Sequence, residues 1–323
     1  MILLIVIVFI YYGCHRLYQH LFPSSNIDPN GLYILINGCN TELCHLLAIE
    51  LDKQGFNVLA GVFIPDDIAL LKNKLSPKAT VFHLDITKQE DIDAAFKLVT
   101  NKTEVLHALI NYAEIISGSY IDWTSLEVMR KVMDMNFFGH VAMTKKFLPL
   151  LIAKRDSRIV NLSSISGIVS LKGTAAYSAS KYALESFSDC LRREMTQWDL
   201  RVSLIERVTM RTCLLENPED YIKNLLDELS IDVQDRWGIN FLQNTIRRMI
   251  NPPLVFYVDD SNKVIRAIKH AIMNTKPRIR YQPGLQSKLF LRFVRICPTY
   301  LMDKLLNIEV NSIPAGVHNQ IMN

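Results

Sequence analysis

The chain has 323 residues, 49% of them hydrophobic and 21% charged, with 36 Lys and Arg against 32 Asp and Glu and a formal net charge of +4. A chain of this length and apolarity buries a sizeable core and is not disordered, and so small a charge with no long basic run argues against nucleic acid as a partner. Its cysteines, Cys14, Cys39, Cys44, Cys190, Cys213 and Cys297, are too scattered for a disulfide framework or a zinc site, so no metal is expected.

Met1 to Tyr12 is an uninterrupted apolar run. As a helix it covers about 18 Å at 1.5 Å per residue, short of the roughly 30 Å hydrocarbon core. Residues 1–22 are therefore expected to form a membrane anchor that continues to Phe22, or an interfacial helix. Arg16 with His15 and His20 fits the cytosolic side. A cleaved signal peptide lacks its charged start and its small-residue cleavage site here. Residues 23–31, with Pro23, Ser24, Ser25, Pro29 and Gly31, read as a polar linker.

One domain is expected over 32–284. Short apolar runs of the buried-strand kind occur at Tyr33–Ile36, Val58–Phe63, Ala79–Leu84, Leu106–Ile110, Ile159–Leu162, Arg201–Ile205 and Arg278–Tyr281. Helical patterns alternate with them: Leu43 to Leu51, a segment from Lys88 with Thr87 as its cap, the long stripe Leu126 to Ala153, and Asp259 to Asn274. That alternation predicts an α/β fold, a doubly wound parallel sheet of the Rossmann type in a single domain. Residues 213–253, rich in Leu, Ile, Asp and Glu, with Trp237 and Phe241 and ending at Pro252-Pro253, suit a helical pair packed on the domain. Residues 285–323 begin as a basic amphipathic stretch, Leu289, Phe290, Phe293 and Ile296 interleaved with Lys288, Arg292 and Arg295, which suits either a membrane surface or a helix packed in a dimer or core.

Residues 158–182 hold an apparatus for moving a proton. A strand runs into a Ser/Gly loop carrying Ser164, and a helix follows in which Tyr177 and Lys181 stand four residues apart on one face. A phenol with an ordinary value near 10 is a poor acid or base at neutral pH until a neighbouring ammonium stabilises the phenolate. Lys181 can supply that charge, and the Ser164 hydroxyl can hold a substrate oxygen against Tyr177. A Tyr–Lys pair alone is common on solvated helix edges. Here the strand, the serine offset and the small residues around the tyrosine agree with it.

With Ser164, Tyr177-x-x-x-Lys181 and Asn136 upstream, the sequence resembles the short-chain dehydrogenase/reductases. The stretches 184–194, 136–139, 147–150 and 278–284 resemble the retinol and hydroxysteroid dehydrogenase branch, with 3-hydroxybutyrate dehydrogenase near it. The resemblance spans about residues 30–305 and implies that residues 213–253 form a substrate cap. It implies a nicotinamide cofactor, with Lys181 lowering the Tyr177 pKa and holding the nicotinamide ribose. It further implies that Asn136 completes a proton relay and that Gly38, Asp85, Asn111 and Thr212 make cofactor contacts. NAD is favoured over NADP, because Phe63-Ile64-Pro65 offers no cation for a 2′-phosphate and Asp66 and Asp67 would repel one.

The chain departs from the family pattern at five cofactor-facing positions. Asn37-Gly38-Cys39-Asn40-Thr41-Glu42-Leu43-Cys44 keeps only the first glycine of the loop that cradles the pyrophosphate. Glu114 replaces a glycine after the fourth strand, and Arg207 and Val208 replace Pro-Gly. Two readings follow. One is an NAD(P)-dependent alcohol dehydrogenase for a small lipophilic substrate, a steroid or retinoid, at the endoplasmic reticulum membrane, with a homodimer compatible. The other is a membrane-associated pseudoenzyme or lipid-binding scaffold without dinucleotide. A 3-hydroxy acid as substrate would need a cationic clamp for its carboxylate.

Overall fold

The computed structural model describes residues 24–207, 218–250, 260–306 and 313–322, with isolated positions among the first fourteen residues. Most of the expected anchor, and Val208 and Thr212, lie outside the described residues. Among those described, no helix is long and apolar enough to cross a membrane.

Seven parallel strands form one sheet in the order β3-β2-β1-β4-β5-β6-β7. They are β1 (Tyr33–Asn37), β2 (Asn57–Val62), β3 (Thr80–His83), β4 (Ala108–Asn111), β5 (Arg158–Ser164), β6 (Arg201–Arg207) and β7 (Arg280–Tyr281). Nearly every residue of β1, β2, β4 and β5 is buried, because helices cover both faces of the sheet and leave no side for polar alternation. On one face α1 (Glu42–Lys53) packs with α10 (Ser261–Met273) through Leu47, Leu51, Ile268 and Ile272. On the other, α3 (Gln89–Thr100), α5 (His140–Ile152) and α6 (Ala175–Glu194) bury Ile92, Val99, Met143, Phe147 and Leu191.

The chain winds outward from β1 in both directions, so the crevice at the carboxyl ends of β1 and β4 is the switch point where such sheets bind ligands. Asn37 and Asn111 are register partners there. A buried polar ladder crosses the sheet at this level. Asn37 Nδ2 donates to Asn111 Oδ1 at 2.8 Å, Asn111 Nδ2 to Asn161 Oδ1 at 2.8 Å, and Asn161 Nδ2 to Ser188 Oγ on α6 at 2.8 Å. Each rung satisfies groups that would be costly to bury unpaired.

The long stripe 126–153 is not one helix. α4 (Leu126–Met133) passes through a π turn, Asp134–Gly139, into α5. The expected cap Thr87 is not a cap either. Its amide and hydroxyl both donate to Asp85 Oδ1, and Lys88 opens α3 without a side-chain bond. The residues read as a linker are docked: Ile27 N donates to Met273 O at 2.8 Å, Thr275 N to Ser25 O at 3.0 Å, and Ser24 Oγ to Asn274 Oδ1 at 2.6 Å. Polar composition marked an irregular segment, and its backbone found partners at the end of α10.

Between β2 and β3 lies α2 (Pro65–Lys72), and beyond β6 the segment expected to cap a substrate holds α7 (Pro218–Glu228), α8 (Ile231–Trp237) and α9 (Ile239–Ile250). Trp237 and Phe241 pack against Tyr120 and Trp123 from the loop after β4, and Asp122 accepts from Trp237 Nε1 at 2.7 Å. In α11 (Leu285–Ile296) Leu291 packs on Ile165 and Val169, while Leu289, Phe293 and Ile296 are exposed. α12 (Thr299–Leu306) and α13 (Ala315–Met322) complete the described chain.

Candidate active site

The fold brings Ser164, Tyr177, Lys181 and Asn136 to one place at the carboxyl edge of the sheet. Ser164 ends β5, Tyr177 and Lys181 lie on the buried face of α6, and Asn136 sits in the π turn. Lys181 is fully buried, and its ammonium donates to Leu162 O at 2.9 Å and stands 5.5 Å from the Tyr177 ring centre. Ser164 Oγ accepts from Ser166 N at 3.2 Å, and the serine hydroxyl pulls the Tyr177 pKa down.

A fifth residue joins them. Glu114 Oε2 lies 2.7 Å from Lys181 Nζ and accepts from the Tyr177 hydroxyl at 3.0 Å. Its other oxygen, Oε1, accepts from Arg207 Nη2 at the end of β6. Both of its cationic partners are nearly or wholly buried, and the glutamate side chain is 12% exposed. Burial alone would raise the Glu114 carboxyl, but the Arg207 and Lys181 cations outweigh it and hold it at about 2. Tyr177 is pushed well above its ordinary value by burial and by the Glu114 charge, against the opposing pull of Arg207 and Ser164. Burial lowers the Lys181 ammonium, and Glu114 opposes it. In this arrangement the tyrosine is a protonated donor bound to a carboxylate, not an activated phenol.

The Glu114 backbone is clamped on both sides. Asn37 Oδ1 accepts from Ala113 N at 3.0 Å, and His140 Nε2 lies 2.7 Å from Ala113 O. Asn136 takes Ile115 N on its Oδ1 at 2.8 Å and gives Nδ2 to Ile115 O at 2.9 Å and to Ser180 Oγ at 3.1 Å. The Asn136 side chain is thus spent in fixing the loop that carries Glu114. The π turn aims it there, a use of such turns common at functional sites.

The remaining cofactor candidates are scattered. Asn111 is fully buried within the polar ladder, donating also to Thr144. Asp85 lies at the end of β3 with one oxygen turned onto Thr87. Gly38 has φ +77°, and a Cβ there would meet Ala113 Cα at 2.4 Å, so the retained glycine allows two backbones to approach. Glu42 is exposed in the first turn of α1, where a carboxylate suits the helix dipole. The Cys39 and Cys44 thiols are buried 2.6 Å apart beneath this turn.

A dinucleotide meets a divided cleft. Over β1 the Gly38 turn and the α1 amino terminus are in place, with Glu42 set among them. At the nicotinamide end, the ammonium and phenol that would receive the ribose already hold the Glu114 carboxylate. The residues fit the cofactor once that carboxylate withdraws from Lys181 and Tyr177. Sequence reasoning registered Glu114 and Arg207 as two separate losses. The signal that joins them is their opposite charge at two positions facing one cleft. The open groove of about 510 Å³ lined by Ile121, Leu171, Ala175, Ala179 and Tyr182 runs along a different face of α6 from Tyr177 and is not this cleft.

The family profile described as short chain dehydrogenase matches residues 33–221. Retinol dehydrogenase 7 of Mus musculus is 35% identical over 278 residues, 85% of this chain and 87% of that protein. Estradiol 17-beta-dehydrogenase 2 of Mus musculus is 34% identical over 287 residues, 84% of this chain and 72% of that protein. Among solved structures, a short-chain dehydrogenase from Streptomyces avermitilis superposes with a TM-score of 0.65 at 22% identity over 85% of this chain and 93% of that one, a likeness of fold. An NADH-dependent reductase, A1-R′, complexed with NAD superposes with a TM-score of 0.52 at 27% identity, over 57% of this chain and 80% of that one.

Proposed function

The chain belongs to the short-chain dehydrogenase family, and from that premise we propose that it interconverts an alcohol and its carbonyl on an apolar molecule of the steroid or retinoid kind. The observation that carries this reading is the meeting of Ser164, at the end of β5, with Tyr177 and the buried Lys181, one turn apart on the buried face of α6. Ser164 would hold the substrate oxygen, and Tyr177 would exchange the hydroxyl proton with it. With Glu114 away, the cations at 181 and 207 would favour the phenolate. A bound nicotinamide cofactor would supply or accept the hydride.

NAD is the favoured form, since Asp66 and Asp67 stand in the first turn of α2 beyond β2. Gly38 and Asp85 would flank the dinucleotide's adenosine half. Asn111 would act through the ladder that supports the cleft floor. Thr212, which lies outside the described residues, would contact the nicotinamide amide, as the family resemblance implies. The exposed Leu289, Phe293, Ile296 and Tyr300, beside Arg292 and Lys304, support a membrane surface as the setting, at the endoplasmic reticulum, from which an apolar substrate would enter. Exposed Phe138 and Tyr182 are compatible with a homodimer.

The test is turnover of retinol and hydroxysteroid panels by the full chain with NAD and NADP. Dinucleotide-dependent turnover should fall about 10²- to 10⁴-fold in Tyr177→Phe. Turnover equal in that variant would sink the assignment. The second reading, a lipid-binding scaffold without dinucleotide, is favoured by one observation, the carboxylate already seated on Lys181 and Tyr177. Folded protein that binds retinoid or steroid but no dinucleotide would select it.

A further inference from the structure

We propose that Glu114 sets the affinity of this chain for its cofactor: it is a built-in competitor that holds Lys181 and Tyr177 in place of the nicotinamide ribose, and Arg207 positions it there. The inference rests on the dehydrogenase reading and specifies how that site is controlled. Three observations carry it. The carboxylate engages both groups at once, at 2.7 Å and 3.0 Å through the single oxygen Oε2. Its second oxygen is held by Arg207, a residue that stands where the family pattern has proline, so the two departures form one ion pair. The backbone of its neighbours Ala113 and Ile115 is held by Asn37, His140 and Asn136 from three different elements, which makes its placement part of the fold.

The thermodynamic consequence is a tax on binding. Cofactor binds only the fraction of molecules in which the carboxylate has withdrawn, and the apparent dissociation constant rises by the inverse of that fraction. With the open state a minor one of about one molecule in ten or fewer, binding weakens by about tenfold or more. Withdrawal has a second effect. It removes the charge that opposes ionisation of Tyr177 and leaves the Lys181 and Arg207 cations beside the phenol. Opening the ribose site and readying the proton donor are therefore one event. Because the carboxyl is held at about 2, ordinary changes of pH do not release it. The dinucleotide, or a ligand that draws on Arg207, must do so.

The experiment is a fluorescence titration of the full chain with NADH, in wild type, Glu114→Gln and the double variant Glu114→Gly/Arg207→Pro. The double variant removes both members of the pair and so leaves no orphaned Arg207 cation. Glu114→Gln keeps the side-chain volume and decides the matter if the double variant does not fold. Both variants should bind NADH at least about tenfold more tightly than wild type. Equal affinity, or tighter binding by wild type, would overturn the role of Glu114 and leave the dehydrogenase reading standing. Failure of all three proteins to bind while each unfolds cooperatively on heating would overturn the dehydrogenase reading, and the inference with it.

Discussion

At the scale of single residues, Asn136 and Glu114 form one device. The family resemblance assigns Asn136 to a proton relay, and in this chain its side chain makes three hydrogen bonds, two of them to the backbone of Ile115 beside Glu114. Asn136→Ala removes the partners of a half-buried amide and carbonyl at Ile115, at a cost of about 1 kcal/mol. Urea unfolding should register that loss, and the variant should also gain affinity for NADH as Glu114 loses its fixed seat. A loss of stability with unchanged NADH affinity would assign Asn136 to structure alone. That Ser164, Tyr177 and Lys181 would meet was legible in the sequence, because it depends on spacing along one strand and the helix after it, and Asn136 was legible only through the family resemblance. The pairing of Glu114 with Arg207 was not, because 93 residues separate them and only the sheet makes them neighbours.

At the scale of elements, the turn from β1 into α1 explains which glycine this chain kept. Gly38 is demanded by its φ of +77° and by Ala113 beneath it, whatever binds above. Gly38→Ala should cost at least about 1–3 kcal/mol for a non-glycine residue in that backbone region, with a further penalty because Ala113 presents backbone to the new methyl. Thermal unfolding checks this, and an unchanged midpoint would refute it. Keeping that glycine therefore says little about cofactor. The departures at Glu42 and Cys44 are equally compatible with the fold, the first exposed at a helix amino terminus and the second buried in the core. Strand positions were readable to within a few residues because buried parallel strands are continuous apolar runs. The π turn between α4 and α5 was not, since an apolar stripe persists through one extra residue per turn.

At the scale of the whole molecule, acid should unfold this protein in a way its net charge does not foretell. Burial lowers His107 and His140 from 6.5 to about 4 and about 3. Both are neutral in the folded protein, whereas the unfolded chain takes up a proton at each below pH 6.5. Stability is therefore full above that pH and falls as pH drops toward the folded values, by up to about 1.4 kcal/mol per pH unit for each histidine. Glu114 adds to the loss lower down. Its contribution is present above the ordinary carboxyl value of 4.5 and disappears as pH falls toward about 2. Urea unfolding across the range from about pH 7 to pH 4 should show a steep decline. A flat profile would mean that the two histidines are solvated. The sequence by itself determined the sheet, its helices and the convergence of Ser164, Tyr177 and Lys181, because periodicity and short-range spacing are local properties of a chain. Only the tertiary structure decided what that set holds, since a carboxylate from the loop after β4 and a guanidinium from the end of β6 meet only when β5, lying between their strands, brings both edges to the same crevice.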